Sequence, residues 1–118
     1  MVDRENYDES GLYKGSAEMT APSDVARATG ISKDVVTAVI KPAQMLRYSY
    51  GRTVTRDTMY KRNLMKELGL QMLLTKDPDK VASAFLKNHQ DVFTGDELKI
   101  ISTIEANAKR ALGIEVTQ

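Results

Sequence analysis

The stretch PSDVARATGISKDVVTAVIK, residues 22–41, decides the fold of this chain. Its apolar spacing predicts two short amphipathic helices, over about residues 23–29 and 32–40, which a turn at Gly30 joins. Glycine adopts the positive φ that such a turn requires without steric cost. Apolar residues from both helices and the turn are predicted to pack together and lock the pair: Val25, Ile31, Val36 and Val39.

The same stretch resembles the helix-turn-helix of bacterial and phage repressors, most closely the lactose-repressor type. The resemblance is confined to residues 22–41. It is carried by small, glycine, apolar, serine and valine positions, namely Ala26, Gly30, Ile31, Ser32, Val36 and Val39. It implies that the second helix enters a DNA major groove. The residues placed on or beside DNA in this way are Arg27, Ser32, Lys33, Asp34, Thr37, Ala38 and Lys41.

Two kinds of DNA contact are expected from this set. Lys33, Thr37 and Ala38 are predicted to face base edges, whereas Arg27 and Ser32 are predicted to lie near phosphates. A carboxylate on such a surface repels phosphate, so Asp34 fits only as an acceptor from cytosine N4.

The charge is unevenly distributed along the chain, although the net charge is only +1. Residues 1–21 hold five acidic and two basic residues, whereas residues 22–63 hold eight basic and three acidic residues. Residues 64–118 hold seven basic and eight acidic residues. A solvated charged surface is one explanation, but a basic excess at the motif also suits phosphate contacts. Three further arginines are therefore predicted to contact DNA: Arg47, Arg52 and Arg56.

The composition fits one globular domain, because the 118 residues are 42% apolar and 28% charged. The absence of cysteine excludes disulfides, a thiol nucleophile and zinc–cysteine sites, and the single histidine, His89, excludes a histidine cluster. The acidic start is unlike a signal peptide, and no apolar run is long enough for a bilayer. We expect a cytoplasmic protein with no catalytic residues, cofactor, metal or evident small-molecule ligand.

The predicted organisation is a flexible acidic arm over residues 1–20 and a single all-α domain over residues 21–118, with five to six helices. One helix is predicted from about Thr55 to Leu68, with Gly69 ending or bending it. Its inner side is predicted to hold Met59, Tyr60, Leu64, Met65 and Leu68. The next helix is expected to begin at Asp77-Pro78 and to pack Val81, Ala84 and Phe85.

The last helix, over about residues 95–112, has the strongest local signals. Thr94 and Glu97 form a capping box, with Phe93 and Leu98 spaced as a hydrophobic staple. The helix then carries a single apolar stripe, Ile101, Ile104, Ala108 and Leu112, before Gly113. Ile100 and Leu112 lie beside or at the end of this stripe. We therefore hypothesise that the helical core over residues 55–113, and residues 78–112 in particular, also form a self-association surface.

These features predict a small phage, plasmid or bacterial transcriptional regulator that binds double-stranded DNA as a dimer. A dimer is expected because one reading helix buries too little surface for useful specificity. The alternatives are an ordinary helical hairpin, a helical protein–protein module, and a phage packaging or virion component that resembles small terminase subunits and assembles as a ring. Residues 30–36, GISKDVV, also resemble the opening of histone-like architectural proteins, but the β-rich arm with its Gly-Phe-Gly step does not follow.

Overall fold

The computed structural model describes residues 21–46 and 56–114, and every regular element within these two ranges is helical. Five α-helices follow one another: α1 (Pro22–Thr29), α2 (Lys33–Ile40), α3 (Arg56–Leu73), α4 (Pro78–Asn88) and α5 (Gly95–Ala111). A 3-10 turn, Lys41–Gln44, follows α2 directly. The protein is all-α, as the apolar spacing predicts. The predicted N-terminal arm lies outside the described residues.

The two long helices, α3 and α5, form the centre of the fold. Helix α3 contacts α1, α2, α4 and the 3-10 turn as well as α5, and α5 also contacts α2, α4 and the 3-10 turn. Their inward side chains form one core with those of the shorter helices, including Val25, Val36, Met65, Leu68, Ile104 and Ala108. The inward side of α2 is therefore buried where α3 and α5 meet. No helix within the described ranges is long and apolar enough to cross a membrane.

Gly69 lies within α3, which continues to Leu73, so the prediction that Gly69 ends the helix is wrong. A Cβ atom on Gly69 would lie 2.8 Å from Ile40 Cγ2 and 3.0 Å from Ile104 Cγ2. Helices α2 and α5 thus approach the backbone of α3 at this residue. Glycine is required there for close packing of three helices, although it weakens a helix interior.

The inner side of α3 is predicted correctly at Leu64, Met65 and Leu68 but not one turn earlier. Met59 and Tyr60 are 44% and 53% exposed. The inward position one turn before Met65 belongs to Lys61, whose ammonium group binds a carboxylate of α5. Met59 and Tyr60 are therefore turned toward solvent.

That carboxylate is Glu97, which also completes the predicted capping box. Its Oε1 accepts a hydrogen bond from the backbone N–H of Thr94 at 2.8 Å, and Lys61 Nζ lies 3.1 Å from Oε2. Burial alone would raise the pKa of Glu97, but the bonds from Thr94 and Lys61 outweigh it and lower the pKa. This carboxylate therefore fixes the start of α5 and joins it to α3.

The start of α4 and the end of α5 agree with their local sequence. The side chain of Asp77 caps α4 by accepting a hydrogen bond from the backbone N–H of Lys80 at 3.1 Å, and Pro78 takes the first helical position. Helix α5 is followed by Gly113, whose φ is 77°. Its predicted staple is not formed as a buried pair, because Phe93 packs on Phe85 and Leu98 is 42% exposed.

Two predictions about buried residues are corrected by the way α4 and α5 dock. Val81 and Phe85 are buried on α4, but the buried alanine is Ala82, and Ala84 is exposed. Ile100 is only 7% exposed within the single chain. Helix α5 lies among α2, α3 and α4, so its buried side is wider than one stripe. The hypothesis that Ile100 needs a second copy to cover it is therefore wrong.

Leu112, the other residue of that hypothesis, is partly buried and packs against the same core. The apolar residue that α5 leaves in solvent is Leu98, near its other end. The end of α5 thus offers no uncovered pair of large apolar side chains at Ile100 and Leu112.

A second carboxylate on α5, Glu105, is shifted in the opposite direction. Burial raises its pKa, and repulsion from Asp79 adds to the effect, while Lys109 partly opposes it. A raised pKa means that folding favours the protonated form, so ionised Glu105 lowers stability as the pH rises through the folded-state pKa.

Glu105→Gln should therefore raise the free energy of unfolding at pH 8 and change it little at pH 4, where Glu105 is largely protonated in both states. Urea unfolding at the two pH values measures this difference. A variant less stable than wild type at pH 8 would show that attraction to Lys109 exceeds the cost of burial.

Candidate nucleic-acid interface

The turn between α1 and α2 is held by local hydrogen bonds. Gly30 has a φ of 78°, and its N–H donates to Ala26 O at 2.9 Å. The hydroxyl of Thr29 donates to Val25 O at 2.7 Å and accepts from the N–H of Ile31 at 3.2 Å. The turn therefore needs glycine at position 30, as the sequence predicts, and its backbone is fixed by its own neighbours.

Helix α2 starts where its sequence indicates. The Oγ of Ser32 accepts a hydrogen bond from the N–H of Val35 at 3.3 Å, which satisfies one of the free donors of the first turn. Val36 is fully buried, and Val39 and Ile40 are 2% and 7% exposed. One side of α2 is thus fixed against the core, while its start is capped.

The opposite side of α2 is open to solvent. Six residues predicted to lie on or beside DNA are all exposed: Ser32, Lys33, Asp34, Thr37, Ala38 and Lys41. With a helix turning about 100° per residue, Asp34, Ala38 and Lys41 point away from the core, Thr37 lies beside them, and Lys33 lies on one flank. The exposed side of α2 is therefore predicted correctly from the sequence.

The basic side chains of α1 and α2 differ in whether they already form an ion pair. Arg27 is exposed on α1, but its guanidinium forms an ion pair with Asp24, one turn earlier. Within the described residues no ion pair engages Lys33 or Lys41. An exposed pair of this kind is weak, so Arg27 can exchange Asp24 for another anion at little cost.

The remaining predicted DNA contacts are not described at the side-chain level. Arg47 and Arg52 lie outside the described residues. Arg56 is the first residue of α3, and its side chain is likewise outside the description. The predicted contacts of these three arginines with DNA therefore stay predictions.

The other flank of α2 contains a feature that the sequence-based prediction missed. Val35 is 42% exposed there, and beside it a groove of about 340 Å³ opens between α2 and the end of α5. Val35 and Ala38 form part of one wall, and Asn107, Arg110 and Ala111 form the other. Helical spacing alone places Val35 on this flank, but only the docking of α5 gives the groove its second wall.

A second groove, of about 360 Å³, lies between α3 and α4 and includes His89. The Nδ1 atom of His89 is 2.8 Å from Phe85 O, and the rings of the two residues are 4.4 Å apart. These contacts indicate a structural role for His89 as the C-cap of α4. Within residues 21–46 and 56–114, no group of three or more acidic or histidine side chains is arranged to hold a metal ion.

No protein-family model, curated protein or solved structure matches the chain. The interpretation of α1 and α2 therefore depends on their own residues.

Proposed function

We propose that this chain is a sequence-specific double-stranded DNA-binding protein, with α2 as the helix that enters the major groove. The observation that carries the proposal is the division of α2 into two sides. Val36, Val39 and Ile40 fix it to the core. The exposed side combines short polar and apolar groups with the cations of Lys33 and Lys41. Groups of these kinds contact base edges and phosphates.

The chemistry of the exposed residues suggests how the two kinds of contact divide. The Thr37 hydroxyl and the Ala38 methyl suit hydrogen bonding to a base edge and contact with a thymine methyl group. Lys41 lies at the end of α2 and provides a cation for phosphate. Asp34 points outward between them, which favours a site with cytosine opposite it, because cytosine N4 is a donor.

We further propose a regulatory role in a phage, plasmid or bacterium, with two copies on a two-fold symmetric site. Duplication is expected because a single short helix buries less surface than specific protein–DNA interfaces need. The alternative of a packaging ring requires a larger assembly. Sedimentation of the free protein and of its DNA complex distinguishes a dimer on two half-sites from a ring.

The proposal predicts different effects for Thr37 and Lys41. Selection from a random duplex library should yield a preferred site, and Thr37→Ala should weaken discrimination by about 1 kcal/mol at one base pair, the size of a single hydrogen bond. Lys41→Ala should weaken all sequences alike and reduce the salt slope, d log K/d log [salt], by about 0.9. Arg27→Ala should act in the same way, because Arg27 can leave its weak, exposed ion pair with Asp24 for a phosphate at little cost.

Lys99→Ala provides the matched control for Lys41→Ala. Lys99 is an exposed lysine near the start of α5, about 16 Å along that helix from Arg110, and its removal lowers the net charge equally. Fluorescence anisotropy with labelled duplex at several salt concentrations measures each constant. Equal losses for Lys41→Ala and Lys99→Ala, with Thr37→Ala unchanged, would show that α2 does not read DNA.

A further inference from the structure

Beside α2, the groove that α5 completes has two chemically different walls. Val35 and Ala38 make the α2 wall apolar, whereas the α5 wall combines the polar side chains of Asn107 and Arg110 with Ala111. Arg110 is exposed, and its Nη1 donates to Asn107 Oδ1 at 3.3 Å. A guanidinium has five N–H donors, so this single bond orients Arg110 and leaves donors for another acceptor.

The last turn of α5 carries two cations with different tasks. Lys109 forms an ion pair with Asp79 of α4 at 2.8 Å, which joins the end of α5 to the start of α4. Within the described part of the chain no carboxylate pairs with Arg110, which lines the groove beside α2. Among the described residues that line this groove, Arg110 alone presents an uncompensated positive charge.

The end of a helix ordinarily disfavours an anion, because its last carbonyl groups carry partial negative charge. Here three of those carbonyl oxygens accept hydrogen bonds from the residues that follow: Ala108 O from Leu112 N at 3.0 Å, Lys109 O from Ile114 N at 2.8 Å, and Arg110 O from Gly113 N at 3.0 Å. The positive φ of Gly113 makes this closure possible. Few carbonyl oxygens at the end of α5 therefore lack a hydrogen-bond donor beside the groove.

From this arrangement we propose that the groove between α2 and α5 holds the sugar–phosphate backbone of one DNA strand. Arg110 then contacts a phosphate, and Val35 packs against deoxyribose. This inference rests on the proposed function, in which α2 lies in a major groove. A helix of about 10–12 Å diameter fills a major groove about 12 Å wide. A sugar–phosphate strand then borders α2 on each flank. The groove lies along one of these flanks, and it matches such a strand in having an apolar and a cationic wall.

The first test compares Arg110→Ala with Lys99→Ala, which removes the same charge from the same helix at a distance from the groove. Arg110→Ala should weaken binding to specific and random duplexes about five- to tenfold at 0.1 M salt and lower the salt slope by about 0.9. Base preference should not change, because phosphates carry no sequence information. Lys99→Ala should retain the wild-type slope, and Arg110→Lys should recover most of it.

The second test introduces a negative charge into the groove. Val35→Glu should reduce affinity for every duplex at least tenfold, because a carboxylate beside a phosphate repels it. Leu98→Glu is the matched control, because Leu98 and Val35 are both 42% exposed. Thermal unfolding followed by circular dichroism shows whether each variant is folded before its affinity is measured.

The outcomes separate this inference from the proposed function. If Thr37→Ala and Lys41→Ala behave as expected while Arg110→Ala equals Lys99→Ala, α2 reads DNA and the groove inference is overturned. If wild type binds no duplex, both are overturned. If Val35→Glu lowers the sedimentation mass of the free protein, the groove is an interface between copies, which also overturns the inference.

Discussion

Glu97→Ala should lower the free energy of unfolding by about 3 kcal/mol at pH 7, near the lower end of the range for breaking a buried ion pair. The Glu97 side chain is 1% exposed, and its partner Lys61 is 16% exposed. Removal of the carboxylate leaves the Lys61 ammonium with little water and the N–H of Thr94 without its acceptor. Chemical denaturation followed by far-ultraviolet circular dichroism measures the loss.

The same carboxylate should make stability depend on pH. The folded-state pKa of Glu97 lies below its ordinary value of 4.5. The stabilisation is therefore complete above the unfolded-state pKa and is lost as the pH falls through the folded-state pKa. Between pH 6 and pH 3 the wild type should lose stability more steeply than Glu97→Ala. Parallel curves for the two proteins would contradict the assignment of a lowered pKa.

A double variant separates the ion pair from the cap. Lys61→Met/Glu97→Gln replaces both charges with groups of similar length, and the introduced glutamine can still accept a hydrogen bond from the N–H of Thr94. The double variant should be more stable than Lys61→Met alone, because Lys61→Met removes the Lys61 cation from the buried Glu97 carboxylate, whereas the double variant removes both charges. If the double variant instead loses the sum of both single effects, the two side chains act independently.

The sequence predicts those parts of the fold that depend on residues within about one helical turn. The glycine turn at Gly30 and the Thr94–Glu97 box each join residues no more than four positions apart, and both are confirmed. The Ser32 cap of α2 has the same short range. The exposed side of α2 follows from helical spacing in the same way. The ion pair of Arg27 with Asp24 also lies within this range, because residues three apart are neighbours on a helix.

The features that the sequence does not predict depend on how distant helices dock. Lys61 and Glu97 are 36 positions apart, and nothing local marks them as partners. The groove beside Val35 exists because Arg110 and Ala111 come from the other end of the domain. Ile100 is buried because α5 packs on several helices at once. Spacing along one helix identifies an apolar side but not the number of neighbours that cover it.

Gly69 also depends on the docking of distant helices, and its substitution is the second change expected to have a large effect on stability. Gly69→Leu should lower the free energy of unfolding by about 3 kcal/mol or more, and Gly69→Ala by about 1 kcal/mol. An added Cβ meets Ile40 Cγ2 at 2.8 Å and Ile104 Cγ2 at 3.0 Å. Both methyl groups sit on β-branched side chains, whose χ1 angles are restricted, so they cannot move aside freely.

The sign of the Gly69→Ala effect distinguishes close packing from a simple helix break. Alanine in an ordinary helix interior is about 1 kcal/mol more favourable than glycine, so the substitution should stabilise α3 if space were available. Gly95 in α5 is the control, because no atom lies within 4 Å of a Cβ placed there. Gly95→Ala should therefore leave stability equal to or above wild type, while Gly69→Ala lowers it.

Rescue at Ile40 tests which contact is responsible. Leucine has no Cγ2 methyl on its Cβ, so Ile40→Leu removes the atom nearest to the added Cβ while keeping the side-chain volume. Ile40→Leu should destabilise the wild type but destabilise Gly69→Ala less, and a double-mutant cycle measures the difference.

Because Ile40 is the last residue of α2, the overlap between its side chain and an added Cβ at position 69 should also displace this helix. Gly69→Ala should then bind DNA more weakly than Gly95→Ala when both are fully folded, and equal affinities would show that α2 keeps its position.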